Sequence, residues 1–205
     1  MNIKLLNHEK WAAELDAGNI NARELFQYVI KNDYKFVWHP LGFIMCKLSD
    51  EGTRKIRLHI WPGNKRKIQN PAWLIHDHLF DLKSWVLVGK IQNQEFEPLY
   101  SEPSKRIYFA SYKGEKSVLE RSDKTVSLVE RKVEIIRAGQ IYGISAGVFH
   151  KSSTVNDCTA ITVCETIDKL NRKPMVIGEN DGKEMYTYTR SMVTKEDLLN
   201  FIKEI

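Results

Sequence analysis

The chain has 205 residues, with 31 Lys and Arg against 26 Asp and Glu, for a formal net charge of +5. A hydrophobic content of 42% and a charged content of 28% are those of a soluble globular protein, and no apolar run is long enough to span a bilayer. The basic excess sits in short clusters, Lys65-Arg66-Lys67, Arg131-Lys132 and Arg172-Lys173, which read as solvated surface. No zinc-finger spacing, RNP-like aromatic motif or helix-turn-helix accompanies them, so nucleic acid is not an expected partner.

The first thirty or so residues read as helical. Residues 9–16 have no strand character, and Gly18-Asn19 ends the segment. The signal-peptide pattern of an apolar core and a cleavage site is missing from residues 1–10. Asn21, with Glu24 three residues on, has the spacing of a capping box for a second helix, and Leu25, Tyr28 and Val29 give that helix an apolar face. It ends near Asn32-Asp33.

From Tyr34 the texture changes to short β-branched and aromatic runs between turn signals. Strands are predicted over 36–38, 42–48, 55–61, 73–78, 84–88, 94–99, 106–112, 125–129, 133–136, 141–144, 150–154, 159–164 and 185–189. Turns are predicted at Ser49-Asp50-Glu51-Gly52, Pro62-Gly63-Asn64, Lys113-Gly114-Glu115, Ser122-Asp123-Lys124 and Asn156-Asp157. A last amphipathic helix runs from a Thr194 cap, with Asp197 three on, through Leu198, Leu199 and Phe201-Ile202. The expected architecture is all-β, a barrel or jelly roll with helices at both ends. It forms one domain: a helical arm over 1–33, a β-barrel over 34–190 and a helix over 191–205. Cys46, Cys158 and Cys164 are odd in number and lack CxxC spacing, so they read as buried thiols of a reducing compartment, the cytoplasm.

The stretch that carries chemistry is Ile75-His76-Asp77-His78-Leu79-Phe80-Asp81. On a strand His76 and His78 share a face, and imidazoles there need partners such as a metal ion. Ser84 to Gly89 then forms a strand ending in glycine. Farther on, Arg137-Ala138-Gly139-Gln140 and Ala146-Gly147 are glycine turns leading to His150. This pattern resembles the cupin superfamily. His76, His78 and Gly89 match its first motif, and Gly139, Gly147 and His150 match its second. The interval between the motifs is long and calls for an inserted hairpin. The string from His76 through Asp81 to Gly89 also resembles cysteine-dioxygenase-type cupins, which hold iron with three histidines. The first-motif glutamate would fall near Leu82 or Lys83, so Asp81 is the nearest carboxylate, either ligating or orienting a histidine. The second-motif proline is replaced by Ser145-Ala146.

The resemblance implies a cupin-type double-stranded β-helix and a divalent metal, iron(II) first, with zinc, nickel or manganese as alternatives. His76, His78 and His150 would hold it, with Asp81 or Glu165 as carboxylate candidates. Arg57, His59 and Trp61 share one strand face; if that face is inward, Arg57 clamps a substrate carboxylate and His59 serves as acid or base. Tyr142, Tyr108 and Tyr112 are candidates to reach the pocket, Tyr142 as an acid. His39, before Pro40, reads as structural, and Cys158 and Cys164 as core. Three functions follow: an iron(II) dioxygenase-type enzyme on a small polar or anionic substrate, a metal-independent sugar or nucleotide-sugar epimerase, or a non-catalytic binding module. A homodimer is the expected assembly.

Overall fold

The computed structural model describes residues 6–203. Residues 1–5 and 204–205, parts of the predicted arm and final helix, lie outside the described residues, as does the side chain of Ile202. Helix α1 is His8–Asp16, with Asn7 accepting from the Lys10 N–H at 3.0 Å. Helix α2 is Ala22–Lys31, capped by Asn21 accepting from the Glu24 N–H at 3.2 Å. Twelve strands follow: β1 (Phe36–Trp38), β2 (Ile44–Glu51), β3 (Arg54–Pro62), β4 (Phe80–Val88), β5 (Lys90–Leu99), β6 (Lys105–Lys113), β7 (Lys116–Arg137), β8 (Ile141–Ile144), β9 (Phe149–Thr154), β10 (Thr159–Asp168), β11 (Met175–Glu179) and β12 (Met185–Thr189). Helix α3, Lys195–Ile202, closes the order, and Thr194 caps it by accepting from the Asp197 N–H at 3.1 Å.

The strands form two antiparallel sheets. One runs β1-β2-β3-β10-β4-β8 and the other β11-β6-β7-β5-β9, with β12 also on β7. The expected all-β architecture with helices at both ends is therefore present, as a two-sheet sandwich. The inserted hairpin is present too: β6 and the first half of β7 pair with each other, while the second half of β7 pairs with β5.

The first sheet is buried on both faces. Ile56, Leu58 and Ile60 of β3 pack under the helices with Trp11, Leu25, Phe26 and Phe201. Arg57, His59 and Trp61, the alternate residues, face the interior between the sheets. The two-residue alternation that normally marks a half-exposed strand is thus erased, and β3 carries a buried apolar face and a buried polar one.

Four expectations are corrected. Residues 73–78 are extended but not a regular strand; their bridges run one at a time to two different strands. Ser122-Asp123-Lys124 is no turn, because β7 runs through it. Register shifts in β6 opposite absorb the irregularity, and the Ser122 hydroxyl donates to the Ile107 carbonyl at 2.7 Å. β11 was not foreseen. Cys46 and Cys164 are buried free thiols, but Cys158 is exposed in the turn before β10. Among the described residues no helix is long and apolar enough to cross a membrane.

Candidate metal centre

The histidine segment is fixed by its backbone before its side chains act. His76 N–H donates to the His150 carbonyl at 3.0 Å, and His150 N–H returns the bond at 2.9 Å. On its other edge, Asp77 N–H donates to Met175 O at 2.9 Å and Ile177 N–H to Ile75 O at 2.9 Å. The segment therefore lies between β9 and β11. Trp73 anchors its start, with its ring 4.6 Å from Tyr108 and 5.0 Å from Tyr186. Gly178 leaves the room for that indole, since a Cβ there would sit 2.6 Å from it. Asp77 points away from the histidines. Its buried carboxylate accepts from Met175 N–H at 2.6 Å and pairs with Arg172.

This backbone frame gathers His76, His78 and His150. Their ring centroids lie 4.5–4.8 Å apart, and their candidate ligand atoms all fall within 4.8 Å of one another. His76 Nδ1 is 2.9 Å from Leu74 O, and His150 Nδ1 is 3.0 Å from Val148 O. A carbonyl only accepts, so both Nδ1 atoms carry the proton and both Nε2 atoms keep a lone pair. His76 Nε2 lies 3.0 Å from His78 Nε2. Two ligands at right angles on an ion with bonds of about 2.1 Å stand about 3.0 Å apart, so this spacing fits a metal ion. His78 Nδ1 is buried without a partner among the described residues, and its ring rests on Phe80 at 4.5 Å, nearly parallel.

Burial lowers the pKa of all three rings, His150 to about 3, and the neighbouring imidazoles push His78 down further. They are neutral at neutral pH, the form that binds metal. The triad opens on a cavity of about 660 Å³ between the sheets. Across the first sheet, one register row sets Arg57, Cys164, Ser84 and Tyr142 side by side along this cavity.

Arg57 donates to the Thr166 hydroxyl at 2.5 Å and lies 5.5 Å from the Phe80 ring centre. His59 packs on Phe43 at 4.6 Å, with Cys164 Sγ 3.6 Å from its Nε2; burial drives its pKa to about 3 and that of the thiol up to about 11. Trp61 Nε1 donates to Thr162 Oγ1 at 3.2 Å. Burial pushes the Tyr142 phenol up to about 12, against the pull of the Ser84 and Ser152 hydroxyls. Tyr108 is wall, its hydroxyl donating to the Lys183 carbonyl at 3.2 Å, whereas Tyr112 lines the cavity.

Two carboxylate candidates stand elsewhere. Asp81 accepts from the Ala146 N–H at 2.9 Å and lies 3.7 Å from Lys169, so it braces the loop before His150 and is not in the cluster. Glu165 faces the helix side of β10, 2.7 Å from His8 Nε2 and 3.3 Å from Arg54. Its side chain leaves the sheet opposite to Cys164, away from the cavity.

The sequence reading missed other lining residues. His39 lines the cavity instead of serving only the fold. Arg172 and Lys173 are exposed, as the surface reading expects, but also edge the cavity, and Arg66 and Arg190 line it. No spacing in the sequence links these positions, because the turn before β2, the loop after β10 and the end of β12 meet only in the folded chain.

No protein-family model matches the chain, and no curated protein does. Solved structures give remote likenesses. A cupin-2 domain from Rhodospirillum rubrum matches at 12% identity and a TM-score of 0.36, covering 78% of this chain and 70% of that one. Drosophila melanogaster CENP-C, solved bound to CAL1, matches at 13% identity and a TM-score of 0.38, covering 76% of this chain and 95% of that one. At these scores neither bears on function. The chain's own sheets and side chains describe a two-sheet antiparallel β-sandwich with a three-histidine cluster opening on its internal cavity.

Proposed function

We propose that the protein is a metal-dependent cupin enzyme, an iron(II) dioxygenase-type oxidoreductase acting on an anionic small molecule. The observation that carries this reading is the convergence of three neutral imidazoles, two of them oriented by backbone carbonyls, at the wall of the cavity between the sheets. His76, His78 and His150 would hold the ion, and three protein ligands leave positions for substrate. When bound, the metal supplies Lewis-acid polarisation and oxygen activation.

The remaining roles fall to the cavity's side chains. Arg57 holds an anionic group of the substrate by its guanidinium fork. Tyr142 stays protonated at neutral pH and offers its Oη–H to a substrate oxygen. His59, packed on Phe43 and Cys164 and neutral at neutral pH, is the second group placed to exchange a proton with the substrate. Trp61 and Phe80 exclude water from the walls.

The test is elemental analysis of the purified chain beside His78→Ala, followed by oxygen uptake after iron(II) reconstitution. Stoichiometric iron in wild type, lost in the variant, is the expected result, and zinc, nickel or manganese instead of iron would reassign the ion. Background metal in a folded wild-type preparation, with none taken up on reconstitution, would sink the reading.

A further inference from the structure

We propose that the cavity takes an amphipathic anion, with an apolar body lodged between the sheets and a carboxylate or phosphate head held by Arg57 and Arg190. The inference deepens the reading above, since it takes this cavity as the substrate site.

Charge is the first argument. Most ionic groups on the cavity wall are already neutralised. Asp77 is paired with Arg172, Lys173 with Glu120 at 2.6 Å, and Asp168 with Lys55 at 3.3 Å. Arg57, Arg190 and Arg66 are different. Arg66 Nη2 donates to the Leu41 carbonyl at 2.6 Å beside the Trp61 ring, and the other two form the proposed head site. Arg57 donates to the neutral Thr166 hydroxyl, and Arg190 Nη2 donates to the Gly114 carbonyl at 2.7 Å. Arg190 Nε is buried without a partner among the described residues. A guanidinium has five donors and keeps its charge, so a sheltered site that gives it only neutral acceptors favours an anion.

Position is the second argument. Arg57 lies over Phe80, and Arg190 lies 5.3 Å from the ring centre of Tyr112. Stacked guanidiniums of this kind lose little freedom when they grip an anion. The positive charge of both is felt at Tyr112 and at His39, so the two serve one region of the cavity. His39 adds a donor. Its Nδ1 accepts from Leu41 N–H at 3.2 Å, which places the proton on Nε2, and its ring is stacked on Phe43 at 4.3 Å.

The third argument is size and polarity. The rest of the wall is largely apolar, with Phe43, Met45, Leu74, Leu79, Ile144 and Val176 among its residues. A volume of about 660 Å³ lies in the range that houses drug-sized ligands, of roughly 300–1,000 Å³. A substrate of a few polar atoms would leave these walls wet, whereas a hydrocarbon or aromatic body covers them.

The experiment is calorimetric titration of the metal-free full-length chain with octanoate, octyl phosphate, octanol and inorganic phosphate. One or both alkyl anions should bind one to one, with octanol and inorganic phosphate at least about tenfold weaker. Arg190→Met and Arg57→Met should each weaken the anion by about tenfold or more, while Arg131→Met, an exposed arginine on β7, should leave it unchanged. Arg190→Lys keeps the charge without the fork and should fall between wild type and Arg190→Met. The better anion names the head. No anion binding to wild type, octanol binding as well as octanoate, or full affinity in folded Arg190→Met would each overturn the proposal. Metal content of the same preparations judges the metal reading separately. Alkyl anion binding without metal uptake keeps the subsite and removes the metal, and the converse result does the opposite.

Discussion

His76 and His150 exchange both backbone hydrogen bonds, at 3.0 and 2.9 Å, while their rings stand 4.5 Å apart on the cavity side. Residues from two distant motifs are thus locked as a close antiparallel pair, and the side chains inherit their spacing from the backbone. The backbone pair fixes this spacing independently of the side chains.

This independence gives the first prediction. His150→Ala should lose metal binding while the metal-free fold weakens by no more than about 2 kcal/mol, because the backbone pair survives and only one buried ring is removed. Elemental analysis and urea unfolding of the same preparation check both halves. A global loss of structure in His150→Ala would show that the ring, not the backbone, holds the two motifs together.

Glu165 supplies the second. Its carboxylate meets the fully buried His8 and the Arg54 guanidinium, tying α1 to the outer face of the first sheet. Glu165→Ala leaves a buried imidazole without its partner, at a cost of about 1–3 kcal/mol. Metal content should not change. Reduced metal with unchanged stability would return Glu165 to the ligand set.

The contrast between these residues shows what the sequence could carry. The three histidines were legible because extended alternation, a glycine-ended strand and a second glycine turn each constrain the same local geometry. The inward face of Arg57, His59 and Trp61 was not decided, since helices bury Leu58 and Ile60 as deeply as the cavity buries the polar row. The same ambiguity hid the outward turn of Glu165, one residue from the inward Cys164. Turn-forming Ser122-Asp123-Lys124 runs through β7 because two different strands pair its two halves, a tertiary demand that outweighs local propensity. Arg190 and His39 had no local signal at all.

Gly89 carries the third prediction. It joins β4 to β5 with φ +74°, and a Cβ there would stand 2.4 Å from the Thr159 carbonyl oxygen and 3.0 Å from Ala160. The motif glycine is therefore demanded by both backbone conformation and the approach of β10. Gly89→Ala should cost about 2–4 kcal/mol, combining positive-φ strain with displacement of a central strand. The urea midpoint reads it. A shift worth under about 0.5 kcal/mol would mean that the turn relaxes freely.

The pH dependence of stability turns on His59. Packed between Phe43 and Cys164, it titrates near 3 in the folded chain, against about 6.5 in the unfolded one. Between these values the unfolded chain binds the extra proton, so acid favours unfolding, and this contribution to stability is complete only above about pH 6.5. As pH falls from there towards 3 it is lost at up to about 1.4 kcal/mol per unit. His39, His76, His78 and His150 are shifted in the same direction by burial, which makes the metal-free protein steeply acid-labile over this window. Replacing one of the five should remove one proton's worth of slope. His59→Gln, measured by urea unfolding of metal-free protein at pH 7.5 and 5.0, should lose about 2 kcal/mol less than wild type over that interval. Equal losses would mean that His59 is charged in the folded cavity, with an anionic partner close enough to offset its burial.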